Sequence, residues 1–375
     1  MGMGGNLYRR NDVSRSCFRT ARTSQLTARI RHLALNWGTV VLALFLAAAA
    51  FATPENFSQE QNLSQDQKAA AQNSSQDQKA PREFAAEEFI SEWGGNGFYT
   101  ELDLPGAWRP EVEPYRKRWL SSWGRAELKT ILENGSRYRH YVRRRLQEEG
   151  LPDCIEYIPV IESSYKPLAS PASGKSIGLW QFMENSIENY LRKTKWIDER
   201  RDPWKSTDAA IKKLKANYKQ FDDWLLAIAA YNCGAGAVKR ALKKTPQKTF
   251  WSLSERELIP GHAIAYVPNL LAVSDIAQNS FWYGVDLPQA FFDAESYSPY
   301  DDFDYLEVNE AVSLRALANE TRMDPNILLE LNPALLYETT PPDETYELRL
   351  PRGMKAAVQD AIFSLNKREE YADSK

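Results

Sequence analysis

Glu162 closes the apolar run Tyr157-Ile158-Pro159-Val160-Ile161 and is followed by two hydroxyls, Ser163 and Ser164. Apolar surroundings disfavour the charged form of a carboxyl and raise its pKa. That suits a group that must hold a proton near neutral pH and then deliver it. The plainer reading of this window is a helix end with a solvated carboxylate. Two later windows add chemistry. Gly178-Leu179-Trp180-Gln181 brings an amide that can donate and accept at a sugar. Tyr231-Asn232 puts two polar side chains at the end of the most apolar stretch, Trp224–Ala230, where they either line a cleft or cap a helix. Glu184, Glu188, Asp198 and Glu199 are candidate second carboxylates, and charged loop or surface positions explain all four equally well.

The elements that position these residues read as mainly helical. Leu128, Ile131 and Leu132 give a helical period between about 125 and 147, and Arg143, Arg144 and Arg145 follow, either as a solvated face or as a contact for an anionic polymer. Pro159 restricts the segment before Glu162 to short turns or a bent helix. The Gly178–Phe182 window is expected to enter a helix, and Ser206 or Thr207 to cap the next one, whose inner face holds Ala210, Leu214, Tyr218 and Phe221. Asp222 or Asp223 caps Trp224–Ala230, which is apolar on all sides and reads as the buried central helix. Gly234-Ala235-Gly236 stops it; no strand precedes this Gly-Ala-Gly and no Lys-Ser/Thr follows, so it is not a phosphate loop.

Beyond Pro288 the composition shifts. Strands near Phe303–Val308 and Tyr346–Leu350 enclose helices near Ser313–Glu320 and Pro325–Leu331, a small β-α-α-β module, and the charged end of the chain is expected to fray. At the other end, seven Arg precede an apolar run from Thr39 to Phe51 that closes on Ala50-Phe51-Ala52. This is the pattern of a cleaved export signal or a retained N-terminal anchor, and it places the protein in the periplasm or cell envelope, with membrane association through the N-terminus. Residues 53–82 are polar and repetitive, Ser64-Gln65-Asp66-Gln67-Lys68-Ala69 recurring from Ser75, and read as a disordered linker.

The expected organisation is therefore signal or anchor 1–52, linker 53–82, helical extension 83–145, a main helical domain 146–290, the module 300–352 and a charged tail 353–375. The chain has 47 basic and 50 acidic residues, but residues 1–52 hold seven Arg and one Asp, so the remainder is net acidic by about nine charges and nucleic acid is not an expected partner. Three scattered His and no Cys-x-x-Cys make a metal site unexpected, and no cofactor or protein partner is indicated. Cys154 and Cys233 could pair in an oxidising compartment; two separate thiols are the simpler expectation.

In order and spacing, Glu162-Ser163, Gly178-Leu179-Trp180-Gln181 and Ala230-Tyr231-Asn232 resemble the three motifs of the family-one lytic transglycosylases of bacterial cell walls. Trp180-Gln181-Phe182-Met183 and Asp198-Glu199-Arg200-Arg201-Asp202-Pro203 look most like the membrane-bound murein transglycosylase D branch. The similarity runs from about Tyr115 to Leu287, and implies a lysozyme-like helical domain. Leu314, Leu317-Ala318, Leu328, Leu331-Asn332-Pro333 and Leu348-Arg349-Leu350-Pro351 make the terminal module similar to a lysin motif (LysM), with Asn309-Glu310-Ala311 in place of the usual Gly-Asp turn. Where the branch usually has Leu-Pro-x-Glu-Thr-Arg-x-Tyr-Val, this chain has Ile259-Pro260-Gly261-His262-Ala263-Ile264-Ala265-Tyr266-Val267, keeping only the Pro and the Tyr-Val.

The resemblance implies that peptidoglycan glycan strands are the substrate and that Glu162 is the sole acid–base, first protonating the glycosidic oxygen and then taking the proton of the sugar's own 6-hydroxyl, to leave 1,6-anhydro-muramyl ends. It implies that Ser163, Gln181, Tyr231 and Asn232 hold the sugar and that Tyr266 orients Glu162. A lysozyme-like hydrolase with a second carboxylate and a non-catalytic wall-binding scaffold are the alternatives.

Overall fold

Apolar side chains three and four residues apart build most of the molecule. The computed structural model describes residues 99–187, 189–288 and 303–373. The expected signal, the linker and the start of the helical extension, including Trp93, lie outside the described residues, as does Glu188.

Helix α1 (Glu113–Leu120) leads into the long α2 (Ser122–Glu149). Ser121 caps α2 by accepting from the Gly124 N–H, and Gly150, left-handed at φ 68°, ends it. The inner face of α2 carries Leu128, Ile131, Leu132, Val142 and Leu146. Because α2 is continuous, the expected border between extension and main domain at 145/146 falls inside one helix. Arg143, Arg144 and Arg145 are neither a bare solvated face nor free for a polymer, since they pair with Glu156, Glu148, Glu149 and Asp208.

A 3-10 turn (Asp153–Tyr157) follows, then the short α3 (Ile158–Ser163) with Pro159 in its first turn, as the position of that proline requires. The turn is anchored through Glu156, which is buried and accepts from Nε of both Arg139 (2.7 Å) and Arg143 (2.9 Å). Burial alone would raise its pKa, yet the two guanidinium groups hold the carboxylate below its usual range.

Strands β1 (Ser176–Ile177) and β2 (Phe182–Met183) form a two-stranded antiparallel pair. The Gly178–Gln181 window is therefore the turn of a hairpin, and not the helix start expected from sequence. Helix α4 (Pro203–Phe221) is capped by Asp202, whose carboxylate accepts from the N–H groups of Trp204 and Lys205 at 3.0 Å. Ser206 and Thr207, the expected caps, lie inside the helix with their hydroxyls donating to Asp202 O and Pro203 O.

Asp223 caps α5 (Trp224–Cys233), in which Leu225 through Tyr231 are all buried. It is the central helix, packed against α4, against α6 (Ala235–Leu242) and against α8 (Gly261–Gln278); α7 (Phe250–Glu255) lies between the last two in sequence. Each fully buried Leu or Ile here contributes about 1.5–3 kcal/mol of transfer free energy. At the far side of α8, Asp275 and Arg116 form a buried ion pair joined by the hydroxyls of Tyr99 and Tyr283. No helix among the described residues is long and apolar enough to cross a membrane.

The terminal module has its own core. Strand β3 (Phe303–Val308) pairs antiparallel with β4 (Tyr346–Pro351), in the register Phe303 opposite Pro351 and Val308 opposite Tyr346. Between them lie α9 (Leu314–Thr321) and α10 (Pro325–Leu331). The end of the chain is not frayed through its length. It forms α11 (Lys355–Asp373), which buries Val358 and Ala361 against the module.

Helical body and module belong to one compact unit, Arg82–Lys375. Ile197, from the segment before α4, completes the module's core, with Asp198 N–H donating to Ala334 O (2.8 Å) and Leu336 N–H to Trp196 O (2.9 Å). Arg349 on β4 reaches across to Asp202 at 2.9 Å, both groups buried, and lies over the Trp204 ring at 4.3 Å. Cys154 and Cys233 are separate free thiols.

Candidate active site

Glu162 occupies the last full turn of α3. Immediately after it the backbone reverses through two consecutive left-handed residues, Ser164 (φ 53°) and Tyr165 (φ 56°). Side chains other than glycine adopt that conformation only when their surroundings impose it. Tyr165 supplies the constraint, being fully buried with its hydroxyl donating to Glu156 O at 2.7 Å and its N–H to Pro159 O at 3.1 Å. Gly135 of α2 makes room, since a Cβ there would stand 2.8 Å from the Tyr165 ring.

The β1–β2 turn is held from three sides. Gly178 has φ 91°, and a Cβ on it would meet Arg200 O at 1.8 Å, so no other residue fits. Gly178 O accepts from Gln181 Nε2 at 2.8 Å, Leu179 O from the Ser163 hydroxyl at 2.8 Å and Trp180 O from the Tyr231 hydroxyl at 2.8 Å. Three consecutive carbonyls are thus each tied down by a side chain from one of the three sequence windows. Gln181 also donates to Ala169 O and accepts from the Ser176 hydroxyl, which occupies its whole amide, and its own φ is 49°. Trp180 is fully buried, with Nε1 donating to Thr207 Oγ1 at 2.9 Å.

Ser163, Gln181 and Tyr231, expected to hold sugar, bond to the backbone of the turn beside Glu162. Asn232 differs: its Oδ1 is buried and accepts no hydrogen bond from the protein. Being adjacent on a helix, Asn232 and Tyr231 point about 100° apart, and no bond joins Asn232 to the other candidates.

The Tyr266 hydroxyl, from α8, donates to Glu162 Oε1 at 2.7 Å. In the turns before it, His262 is exposed and Ile264 half-buried, so neither replaces the Glu or Arg of the related pattern with an ion pair at this site. Glu162 keeps partial contact with solvent while protein encloses its carboxyl, the position of a group on the floor of a cleft. Burial pushes its pKa up to about 7, against the opposing pull of the Tyr266 hydrogen bond and the charge of Lys213. The hydroxyls of Tyr266 and Tyr231 are raised well above their ordinary values, by burial and then by the Glu162 charge, and stay protonated donors.

Lys213 is the residue the sequence windows missed. It lies on α4 three residues after Ala210 and four before Asn217, both buried, so helical register could have put it beside the inner face. The candidate second carboxylates among the described residues each face a cation: Glu184 pairs with Lys193, Asp198 with Arg200 and Glu199 with Lys205. Among the described residues no three His, Cys, Asp or Glu are grouped to hold a metal ion.

Residues 142–254 match the family described as Transglycosylase SLT domain, and residues 302–366 the family described as Lytic transglycosylase MltD, LysM-like domain. The chain is 37% identical over 202 residues to Membrane-bound lytic murein transglycosylase D of Escherichia coli strain K12, a match covering 52% of this chain and 43% of that protein. The protein of the same name from Escherichia coli O6:H1 matches to the same extent. The matches thus span less than half the length of these curated relatives. Residues 142–254 thus match a Transglycosylase SLT domain and residues 302–366 an MltD-type LysM-like domain, and over about half of its length the chain is similar to murein transglycosylase D.

Proposed function

We propose that the Glu162 cleft cleaves the β-1,4 bond between MurNAc and GlcNAc in peptidoglycan, with one carboxyl serving as acid and then as base. The observation that carries this is the solitary carboxyl itself. Glu162 titrates near 7, so close to neutral pH it exists in both the form that gives a proton and the form that takes one. A hydrolase of the two-carboxylate type needs a second free carboxylate across the bond, and every described candidate is paired with a cation.

In this mechanism Glu162 protonates the glycosidic oxygen, and the bond from C1 of MurNAc to that oxygen breaks. The resulting carboxylate, still bonded to the Tyr266 hydroxyl, takes the proton of the MurNAc 6-hydroxyl as that oxygen bonds to C1. Proton count is restored and no water is consumed. The rigid turn built by Ser163, Gln181 and Tyr231 forms the wall beside the acid, and the unpartnered Oδ1 of Asn232 is an acceptor suited to a sugar N–H or O–H. The Arg-rich, apolar N-terminus supports export to the periplasm or cell envelope, where this substrate lies.

Digestion of purified sacculi tests the reading. The full chain should release products with 1,6-anhydro ends, and Glu162→Gln should lose at least the 10²–10⁴-fold typical of a positioned acid–base group. Reducing ends would make it a hydrolase, and binding without clearance would make it a scaffold.

A further inference from the structure

Lys213 is half-buried, and among the described residues its ammonium forms no hydrogen bond or ion pair. Its Nζ rests instead over two aromatic faces, 4.8 Å from the centroid of Tyr231 and 5.3 Å from that of Phe182. These rings are not incidental. Tyr231 holds the Trp180 carbonyl, Phe182 opens β2 directly after the turn, and the two meet edge to face at 6.0 Å. The aromatic faces attract a cation through the ring quadrupole and offer no proton acceptor that would compete for its charge. Lys213 is therefore held beside the turn that adjoins Glu162, on the same rings that help to shape it.

We propose that Lys213 is a positioning residue for the acid–base step, an ammonium held on an aromatic seat so that its field acts on Glu162 and stabilises the carboxylate left after proton delivery. This rests on the acid–base role given to Glu162 above. The groups that act on that carboxyl come from three helices: Tyr266 of α8 by a hydrogen bond, Lys213 of α4 by charge, and Tyr231 of α5 as a neutral neighbour whose own titration feels Glu162. The coupling is mutual. Burial lowers the proton affinity of Lys213 and the Glu162 charge restores part of it. An apolar residue at 213 would leave Glu162 to ionise against desolvation with only the Tyr266 hydroxyl to help.

The sign follows. A positive neighbour favours the carboxylate, so removing it raises the pH at which Glu162 loses its proton. Because bond cleavage starts from protonated Glu162, kcat/KM falls as pH rises through that value, and the fall should move to higher pH in Lys213→Met. A displacement of about one pH unit is expected, the lower edge of what a close opposite charge does to a carboxyl. Lys213→Arg should keep the wild-type profile. The test pairs this profile on sacculi with an NMR titration of the Glu162 side-chain carbon in the full chain, wild type and Lys213→Met. Parallel upward shifts in both readouts support the proposal. An unmoved carboxyl titration overturns it, even if KM has risen, since Lys213 would then hold an anionic part of the substrate. If the wild type releases no anhydro product, the proposed function fails while the NMR titration still decides the electrostatic role of Lys213.

Discussion

A carboxyl held protonated for catalysis should cost the fold stability once it ionises, and Glu162→Gln measures that cost. In the folded protein Glu162 titrates near 7, against 4.5 for an ordinary glutamate. The folded state therefore binds more protons than the unfolded state between those values, and stability falls as pH rises through them. The contribution is fully present below about pH 4.5 and fully lost above about pH 7. At about 1.4 kcal/mol per pH unit the interval corresponds to about 3 kcal/mol. An amide of the same shape cannot ionise and can still accept from the Tyr266 hydroxyl, so the variant escapes the loss. Its thermal midpoint, relative to wild type, should hold a constant offset at pH 4–4.5 and climb from there by about 6 °C by pH 8, taking about 2 °C per kcal/mol for a chain of this size. Calorimetry or circular dichroism on both proteins across that range gives the comparison. A difference in midpoint that does not change with pH would refute the reasoning, because Glu162 would then ionise as easily in the fold as in water.

Two further substitutions probe how the site is held. Gly178→Ala places a Cβ against Arg200 O in a backbone of φ 91°; a loss of about 2 kcal/mol or more is expected, read as a lower thermal midpoint, with sacculus clearance falling further than stability alone explains. Arg349→Met leaves the Asp202 carboxylate buried without its cation, and a loss of about 3–5 kcal/mol should appear in denaturant unfolding; an unchanged midpoint would mean that the contact between body and module adds nothing to the fold.

The parts legible in the sequence are those fixed by local pattern. The apolar circumference of Leu225–Ala230 identifies a central helix, and alternation and turn residues locate β3, β4, α9 and α10 to within a residue or two. Contacts between distant segments were not legible. Leu179 and Trp180 look like the apolar start of a helix, yet both are buried in a turn whose shape comes from Ser163, Tyr231 and Arg200, sixteen or more residues away. The same limit applies to the hydroxyls of the site. Type and spacing mark Ser163 and Tyr231 as polar groups in an apolar setting, but whether such a group faces a ligand or a backbone carbonyl depends on the other chain segment. The charged end of the chain misled differently: Val358, Ala361, Ile362 and Leu365, the apolar residues that α11 packs on the module, stand among charged side chains.

The segment from Arg192 to Asp202 connects these findings, because it has one side on the module and the other on the active-site turn. On the module side, Ile197 sits in the module's core, Asp198 bonds to Ala334 and Asp202 pairs with Arg349. On the other side, Arg200 presses its carbonyl against Gly178 so closely that only glycine fits, while its guanidinium is held by Asp198 and reaches Phe182 O. Asp202 also caps α4, the helix that carries Lys213. A module joined only by a flexible tether could be removed without consequence for the catalytic body. This one supplies the buried cation for the cap of α4 and backbone hydrogen bonds to the segment that backs the turn, so it supports the site physically whether or not it also grips glycan.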